Sequence, residues 1–311
     1  MTEKNIQLYP AKVRIVPNCK LAKISANNTV KQYGKLLDGK KFNLIEKKKH
    51  KKHGEIVSTF AITNAEGYDG TDPLTFFDYS VLSVCISEML EGNTCTTPAV
   101  ILRGLTGKTT ENGNGNLHAD QRAAILASVR KMMSTIIRTD NSTVNEELGY
   151  EGEKIIEKQI LPAYFETTTI NGQPVEDTIY FYHDNKGNVI KSPIFEVADQ
   201  RNQIIRYDTE LLDVPNQNNT PLVITIKNYV MLRVMEIIKH KMTPTITLDD
   251  VFKKCRITRN TEKTRQTKET IDKFFAHLQA KGVVDSFSWK KQGTKIHGVE
   301  FTFKKNRVKL A

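Results

Sequence analysis

The chain has 311 residues, of which 39% are hydrophobic and 26% charged, and its formal net charge is +11. This composition is typical of soluble globular proteins, and the length favours two domains over a single core. No run of about 18 apolar residues is present, and the first ten residues lack the apolar core of a signal peptide, so we expect a cytoplasmic protein with no membrane partner.

Residues 1–70 form a basic N-terminal extension with two short strand-like stretches, 11–17 and 55–63. The cluster from Lys47 to Lys52 is interpreted either as a loop that tracks phosphates or as a disordered, solvated turn, and the sequence does not decide between them. Its two histidines are poor metal ligands, because the neighbouring lysines would repel a divalent cation. We therefore expect no metal site in this segment.

A first domain is predicted over residues 71–190, with three helices followed by a β-hairpin. Thr75, with Asp78 three residues later, favours a capping box at the start of the first helix. Thr97 followed by Pro98 favours the N-cap and first position of a short second helix.

The third helix of this domain is predicted over residues 118–140, whose apolar residues recur at helical spacing. Its opposite face offers small or basic side chains that would let it approach phosphates, among them Arg130, Lys131 and Ser134. The hairpin that follows turns at Asn171 and Gly172 and is neutral to acidic. The alternative interpretation of this domain is therefore a protein-interaction or dimerisation domain without DNA contact.

Residues 191–223 are predicted to link the two halves. Pro215 and the polar run after it indicate an exposed tether.

The same order of elements then returns over residues 224–303. A first helix spans 225–241, and Thr247 with Asp250 favours the cap of a short second helix.

A third helix is predicted to follow a basic loop and to end at Gly282, and a hairpin turning at Gln292 and Gly293 completes the domain. A helix entered through a basic loop and followed by a basic hairpin suits a reader of duplex DNA, because the helix fits the major groove while the hairpin reaches phosphates. The alternative is a solvated helix with a solubilising hairpin. The candidate DNA-binding residues here are Arg259, Lys263, Arg265, Gln266 and Lys268 at the helix, and Lys290, Lys291 and Lys295 on the hairpin.

The positive charge is concentrated at the two ends of the chain. Residues 1–70 contain 14 Lys and Arg against 6 acids, residues 71–224 contain 12 against 21, and residues 225–311 contain 20 against 8. The three balances are +8, −9 and +12. Double-stranded DNA would therefore be held mainly by the C-terminal domain, its basic tail 304–311 adding reach, with the basic N-terminal segment as a second candidate. The binding should weaken steeply with salt.

Signatures of catalysis and of cofactor binding are missing from the sequence. The segment from Gly104 to Thr110 contains a GK pair, but its glycine spacing is too short for a phosphate-binding P-loop. None of the seven histidines forms a His-x-His pair, and the four cysteines show no paired spacing for zinc. We expect a protein without enzymatic activity, catalytic residues, metal or cofactor, and with reduced, structural cysteines.

The layout resembles the tandem winged-helix replication initiators of theta-type plasmids, the iteron-binding Rep family. The residues that carry the resemblance are FFDYSVLSVCISEMLEGNTCTTPAVILRGLTG, SPIFEVADQRNQIIRYDTELLDVP, IKNYVMLRVMEIIK and TRQTKETIDKFFAHLQAKGVVDSF. The chain is also similar to proteins of Gram-positive mobile elements. The family implies origin recognition, a homodimer that represses and a monomer that initiates, and host replication proteins as further partners.

The sequence thus predicts an α+β fold with two winged-helix domains in tandem and a short β-rich basic N-terminal extension. The predicted function is sequence-specific binding of double-stranded DNA by a replication initiator. The alternatives are a transcriptional regulator of a mobile element and a protein-interaction or structural protein. The acidic first domain departs from the family pattern, so the second domain is expected to do most of the DNA binding while the first pairs subunits.

Overall fold

A computed structural model of the chain describes residues 9–19, 42–50, 54–64, 74–109, 117–140, 155–170, 173–200, 202–293 and 295–303. The fold is mixed α/β, with helices packed against several small antiparallel sheets. The predicted turn at Asn171 and Gly172 and the basic tail 304–311 lie outside the described residues.

The N-terminal segment contributes three strands, β1 (Val13–Pro17), β2 (Phe42–His50) and β3 (Gly54–Asn64). Lys47, Lys48 and Lys49 lie within β2, which pairs antiparallel with β3, so this part of the lysine cluster is in a strand and not in a loop or turn. Lys51 and Lys52 lie outside the described residues.

The first unit runs from helix α1 to strand β8. Its elements are α1 (Phe76–Leu90), β4 (Cys95–Thr96), α2 (Pro98–Thr106), α3 (Ala119–Ser134), β5 (Thr135–Asp140), β6 (Ile155–Gln159), β7 (Ala163–Ile170) and β8 (Gln173–Phe181). Both predicted caps are present. Thr75 and Asp78 form a reciprocal capping box. The side chain of Thr97 accepts from the backbone N–H of Val100, and Pro98 is the first residue of the helix. These caps satisfy N–H groups that a helix start leaves unpaired.

The third helix of the first unit is shorter than its apolar spacing predicted, because residues 135–140 form strand β5. The segment that leaves the helix is rich in β-branched side chains, including Ile136 and Ile137, which fit a strand better than a helix. Strand β5 pairs with β3 on one side and with β6 on the other, in a four-stranded sheet of order β2-β3-β5-β6. Strands β2 and β3 of the N-terminal segment therefore belong to one sheet with β5 and β6 of the first unit, and not to a separate extension.

The segment expected to be an exposed tether contains helix α4 (Pro193–Gln200), strand β9 (Ile204–Asp208) and a 3₁₀ turn (Thr209–Leu212). Strand β9 pairs with β1, and Phe195, Ile205 and Tyr207 are buried. The stretch after Val214, up to Thr220, is largely exposed. The expectation of a tether was wrong for most of this segment. Strand β9 was not predicted from the sequence, because its partner strand β1 lies almost 200 residues earlier in the chain.

The second unit repeats the order of the first, except that its hairpin follows the third helix directly, where the first unit has β5 and β6 in between. Its elements are α5 (Pro221–His240), β10 (Thr245–Thr247), α6 (Leu248–Lys254), α7 (Thr261–Ala280), β11 (Ser286–Gln292) and β12 (Lys295–Thr302). In each unit the short strand after the first helix pairs with the last strand of the hairpin, giving sheets of order β4-β8-β7 and β10-β12-β11. Strand β10 was not predicted, because its three residues are too few to show the alternation of apolar and polar side chains typical of a strand.

The two units share one hydrophobic core. The buried set runs without a break from Val81, Leu105 and Val129 in the first unit to Val230 and Phe274 in the second. Phe76 of α1 and Tyr229 of α5 contact edge to face, with 5.3 Å between ring centroids. Because the buried side chains of both units form one continuous cluster, we expect the two units to move as one body.

Polar contacts reinforce the junction between the units. Lys227 of α5 is buried, and its Nζ donates to the backbone oxygen of Leu212 at 2.9 Å and to Asn219 Oδ1 at 2.8 Å. Burial lowers the pKa of this ammonium to about 7. Gln121 at the start of α3 donates to the backbone oxygen of Asn219 at 2.6 Å. The turn before α5 is therefore held from both units.

Candidate nucleic-acid interface

Helix α7 divides into an exposed first half and a buried second half. Asn260 caps the helix by accepting from the backbone N–H of Lys263 at 2.7 Å. No residue of the helix before Thr267 is buried, whereas Ile271, Phe274 and Phe275 lie in the core. The sequence dictates this division, because apolar side chains begin only at Ile271. The segment from Arg259 to Lys268 is thus presented to solvent, apart from Thr267.

Arg259 lies in the loop before α7 and is anchored to helix α6. Its Nη1 donates to Asp249 Oδ1 at 2.7 Å, and its guanidinium carbon lies 5.3 Å from the ring centroid of Phe252. The side chain keeps 55% of its surface exposed. Ion pairs this exposed hold a side chain only weakly, so Arg259 can exchange its partner for another anion.

Arg265 points outward from α7 and is held by two acids of the same helix. It donates to Glu262 Oε1 at 2.8 Å and to Glu269 Oε1 at 2.6 Å. These hydrogen bonds raise the pKa of Arg265 and lower the pKa of Glu262. Gln266 also donates to Glu262 Oε1, at 2.7 Å. The outer face of α7 is therefore closer to neutral than the total charge of the domain suggests.

The hairpin β11–β12 is fixed beside α7 by aromatic contacts. Trp289 Nε1 donates to Asp272 Oδ1 at 2.7 Å, and Lys268 Nζ lies 5.6 Å from the centroid of the Trp289 ring. Phe287 packs on Phe275 of the helix with 5.3 Å between centroids. The hairpin consequently stands next to the exposed half of α7, where a ligand of the helix would also meet it.

The three lysines predicted on this hairpin differ in their surroundings. Lys290 pairs with Glu300 at 3.5 Å across the strands, and both side chains are exposed. Lys291 is exposed and follows a bulge in the pairing of β11 with β12. Lys295 opens β12, opposite Gln292, and only the path of its backbone is described. Lys290 and Lys291 can thus both meet an anion approaching the edge strand β11 from solvent.

The candidate residues of the first unit do not form one surface. Arg130 is exposed, with its guanidinium carbon 4.9 Å from the ring centroid of Phe165. Lys131 is instead mostly buried and forms an ion pair at 3.1 Å with Asp78, which is buried at the start of α1. Ser134 Oγ donates back to the carbonyl of Lys131 at 2.9 Å. Lys131 was expected on the outer face of α3, but it joins α3 to α1.

Two negative observations concern the described part of the chain alone. It contains no group of three or more His, Cys, Asp and Glu side chains arranged to hold a metal ion. None of its helices combines the length and the apolar character needed to cross a bilayer. The four cysteines are free thiols, three of them buried and Cys255 half-buried.

Comparison with known proteins gives no family. No family model and no curated protein matches the chain. Among solved structures, a crystal structure of RctB domains 2–3 is similar with a TM-score of 0.45 and 12% identity, covering 85% of this chain and 92% of that chain. A structure of selenomethionine derivatives of domains 2 and 3 of RctB has a TM-score of 0.36 and 12% identity, covering 84% and 91%. At these values the similarity assigns no function to this chain.

Proposed function

We propose that the chain is a sequence-specific double-stranded DNA-binding protein composed of two winged-helix units in tandem, and that it initiates replication at repeated sites of an origin. The observation that carries this proposal is the exposed first half of α7 beside the hairpin β11–β12, which presents Lys290 and Lys291. An exposed helix of this kind fits the major groove, and lysines of an adjacent hairpin reach the phosphates.

The acids on α7 compete with DNA bases for the side chain of Arg265. In the free protein its guanidinium pairs with Glu262 and Glu269, and its side chain is 59% exposed. Ion pairs between side chains this exposed are weak, because water screens them. A bidentate arginine contact with guanine contributes about 1–3 kcal/mol of discrimination. Arg265 can therefore leave its carboxylates for a guanine edge at little cost, as Arg259 can leave Asp249.

The binding residues divide into two groups by what they would contact. We assign the contacts with base edges to Arg259, Arg265 and Gln266, at and just before the exposed end of α7. We assign the contacts with phosphates to Lys268 and to the lysines of the hairpin β11–β12, Lys290, Lys291 and Lys295. Within the first unit, residues 71–190 are net acidic and Lys131 is engaged internally. We assign it to pairing of subunits in a homodimer and not to the main DNA contact.

The role as an initiator rests on the sequence resemblance to plasmid initiators. The same DNA-binding surface suits a transcriptional regulator of a mobile element, which is the second candidate. The two roles differ in their sites: directly repeated sites next to an AT-rich stretch favour an initiator, whereas one inverted repeat over a promoter favours a regulator. Host replication proteins are partners only under the first role.

A footprint on the region upstream of the encoding gene tests the proposal, followed by titrations of Arg265→Ala and Lys291→Ala on the protected sequence and on its single-base variants. Arg265→Ala should lose about 1–3 kcal/mol at one base position, while Lys291→Ala should weaken binding to all sequences similarly. Equal losses on every sequence for both variants would reject this division of roles. Absence of any duplex binding at low salt would reject DNA binding and favour a protein-interaction role.

A further inference from the structure

A cleft of about 480 Å³ lies on the flank of α7 that faces the start of α5. One wall is the polar stretch before α5, with Gln217 and Asn218, and the floor includes Leu222 and Ile226 of its first turns. The other wall is α7. The stretch before α5 was interpreted from sequence as part of a tether, but here it forms one side of an open groove.

The α7 wall of this cleft is a stripe of polar side chains at helical spacing. Lys263, Gln266, Thr270 and Lys273 recur every three or four residues, so they lie along one side of the helix. Lys263 and Lys273 are ten residues apart, or about 15 Å along the axis. The stripe is therefore long enough to follow an extended ligand.

The two lysines of the stripe are less neutralised than the arginine on the outer face. Lys263 Nζ donates to the neutral Gln266 at 3.4 Å, and in the described part of the chain Lys273 has no ion pair. Glu269 also borders the cleft, but its carboxylate is held by Arg265 at 2.6 Å. The available positive charge of α7 thus lies toward the cleft, whereas Arg265 is paired with acids.

The cleft has polar walls and an apolar floor, which match the phosphates and the deoxyribose rings of a DNA strand. Phosphates are contacted in protein–DNA complexes by lysines and by amide side chains, both of which are present on its walls. The floor contributes half-buried Leu222 and Val223 and buried Ile226, against which the apolar face of deoxyribose can pack. A small free anion would leave that floor unused.

We propose that this α5–α7 cleft receives the backbone of one strand of bound duplex, on the flank of α7 opposite the hairpin β11–β12. Lys273 and Lys263 contact its phosphates, so Lys263 acts on the backbone and not on a base edge. The inference rests on the proposed function, since it assumes that α7 lies in a DNA groove. Lys268 faces Trp289 of the hairpin on the other flank, so the duplex is held on both sides of the helix.

The test uses the full chain with Lys273→Ala and, as its matched control, Lys281→Ala. Lys281 is also exposed and follows α7 directly, but it lies outside the cleft. The measurements are the slope of log Kobs against log salt concentration on the footprinted duplex, and interference by ethylated phosphates on the same duplex. Thermal melting of each variant verifies that it is folded.

Lys273→Ala should reduce the magnitude of the salt slope by about 0.9, the value for one lost phosphate contact, and should abolish interference at one or two phosphates. Lys281→Ala should retain the wild-type slope and pattern. If Lys273→Ala binds with the wild-type slope and interference pattern, the cleft is not a backbone site, although DNA binding by α7 would stand. If the wild-type chain binds no duplex, both the cleft assignment and the proposed function are overturned.

Discussion

Arg14 of strand β1 reaches Asn228 of helix α5, with Nη2 of the guanidinium 3.4 Å from the side-chain oxygen of the amide. The same nitrogen donates to the backbone oxygen of Ser80 in α1 at 2.6 Å, and Nε donates to Ser83 Oγ at 3.2 Å. Asn228 in turn donates to the backbone oxygen of Leu105 at 3.0 Å. One buried arginine near the N-terminus therefore joins the first helices of the two units.

Replacing this arginine should destabilise the whole fold. Arg14→Ala removes the donor of three acceptors and opens a cavity between α1 and α5, which should lower the free energy of unfolding by about 3 kcal/mol or more. Arg14→Met fills much of the same volume and should lose less, because burial already opposes the charged form and lowers the pKa of the arginine. Urea unfolding of the three proteins measures both values. Losses below about 1 kcal/mol for the alanine variant would contradict a joining role.

Glu88 should make stability depend on pH in a defined window. Its carboxylate is fully buried in α1 and accepts from the backbone N–H of Ala11 at 2.8 Å and from Asn93 at 2.7 Å. Burial raises its pKa from 4.5 to about 7. The folded state then retains a proton that the unfolded chain has lost, so the contribution of Glu88 to stability falls as pH rises from about 4.5 to about 7 and is constant above.

Glu88→Gln removes the titrating group and keeps an acceptor for Ala11. The variant should gain stability relative to the wild type as pH rises through that window, by about 3 kcal/mol in total. Urea unfolding of both proteins at pH 5, 6, 7 and 8 measures the difference. A difference that stays constant with pH would show that the carboxyl group titrates alike in the folded and unfolded states.

Gly107 is required at the end of α2 by two independent constraints. Its φ is +86°, and a Cβ there would overlap the backbone nitrogen of Asp213, which follows the 3₁₀ turn. Gly187 has a similar φ of +81° but open space around it. Gly187→Ala should therefore cost about 1 kcal/mol for the backbone conformation alone, and Gly107→Ala should cost clearly more. Thermal melting compares the two, and equal costs would argue that the contact with Asp213 yields freely.

The acids beside Arg265 should weaken DNA binding in the native sequence. Glu262 and Glu269 stand on the face of α7 that would enter the groove, and their charges oppose phosphates. Glu262→Gln or Glu269→Gln should tighten binding severalfold at most, because each removes one exposed negative charge that opposes the phosphates. Asp285→Asn, an equal change of charge just before β11, serves as control and should have a smaller effect. Weaker binding by the two glutamine variants would contradict this placement of the helix.

Local features of the fold could be predicted from the sequence because they depend on neighbouring residues. The caps at Thr75, Thr97 and Thr247 each rest on hydrogen bonds within three residues, and all three are present. The end of α3 was predicted too late, since the strand β5 is stabilised by β3, more than 70 residues earlier. The pairing of β1 with β9 was missed for the same reason.

The exposure of the candidate segment and the pairing of its arginine with acids both follow from the local sequence. The exposed segment from Arg259 to Lys268 follows from its lack of apolar residues. Its neutralisation could have been inferred, since Glu262 and Glu269 stand three and four residues from Arg265, a spacing that favours ion pairs on a helix. The role of Lys131 in pairing with Asp78, and the cleft beside Lys273, both depend on how helices pack and left no pattern in the sequence.

The salt dependence of duplex binding by the wild-type chain tests the central claim most directly. Fluorescence anisotropy on a labelled duplex from the footprinted region, measured between about 50 and 200 mM salt, gives log Kobs against log salt concentration. If several lysines and arginines face phosphates, log Kobs should fall linearly as log salt concentration rises, with a slope of about −0.9 for each phosphate contacted. Binding that does not change with salt, or no binding at the lowest salt, would contradict a duplex-binding face on α7 and the hairpin β11–β12.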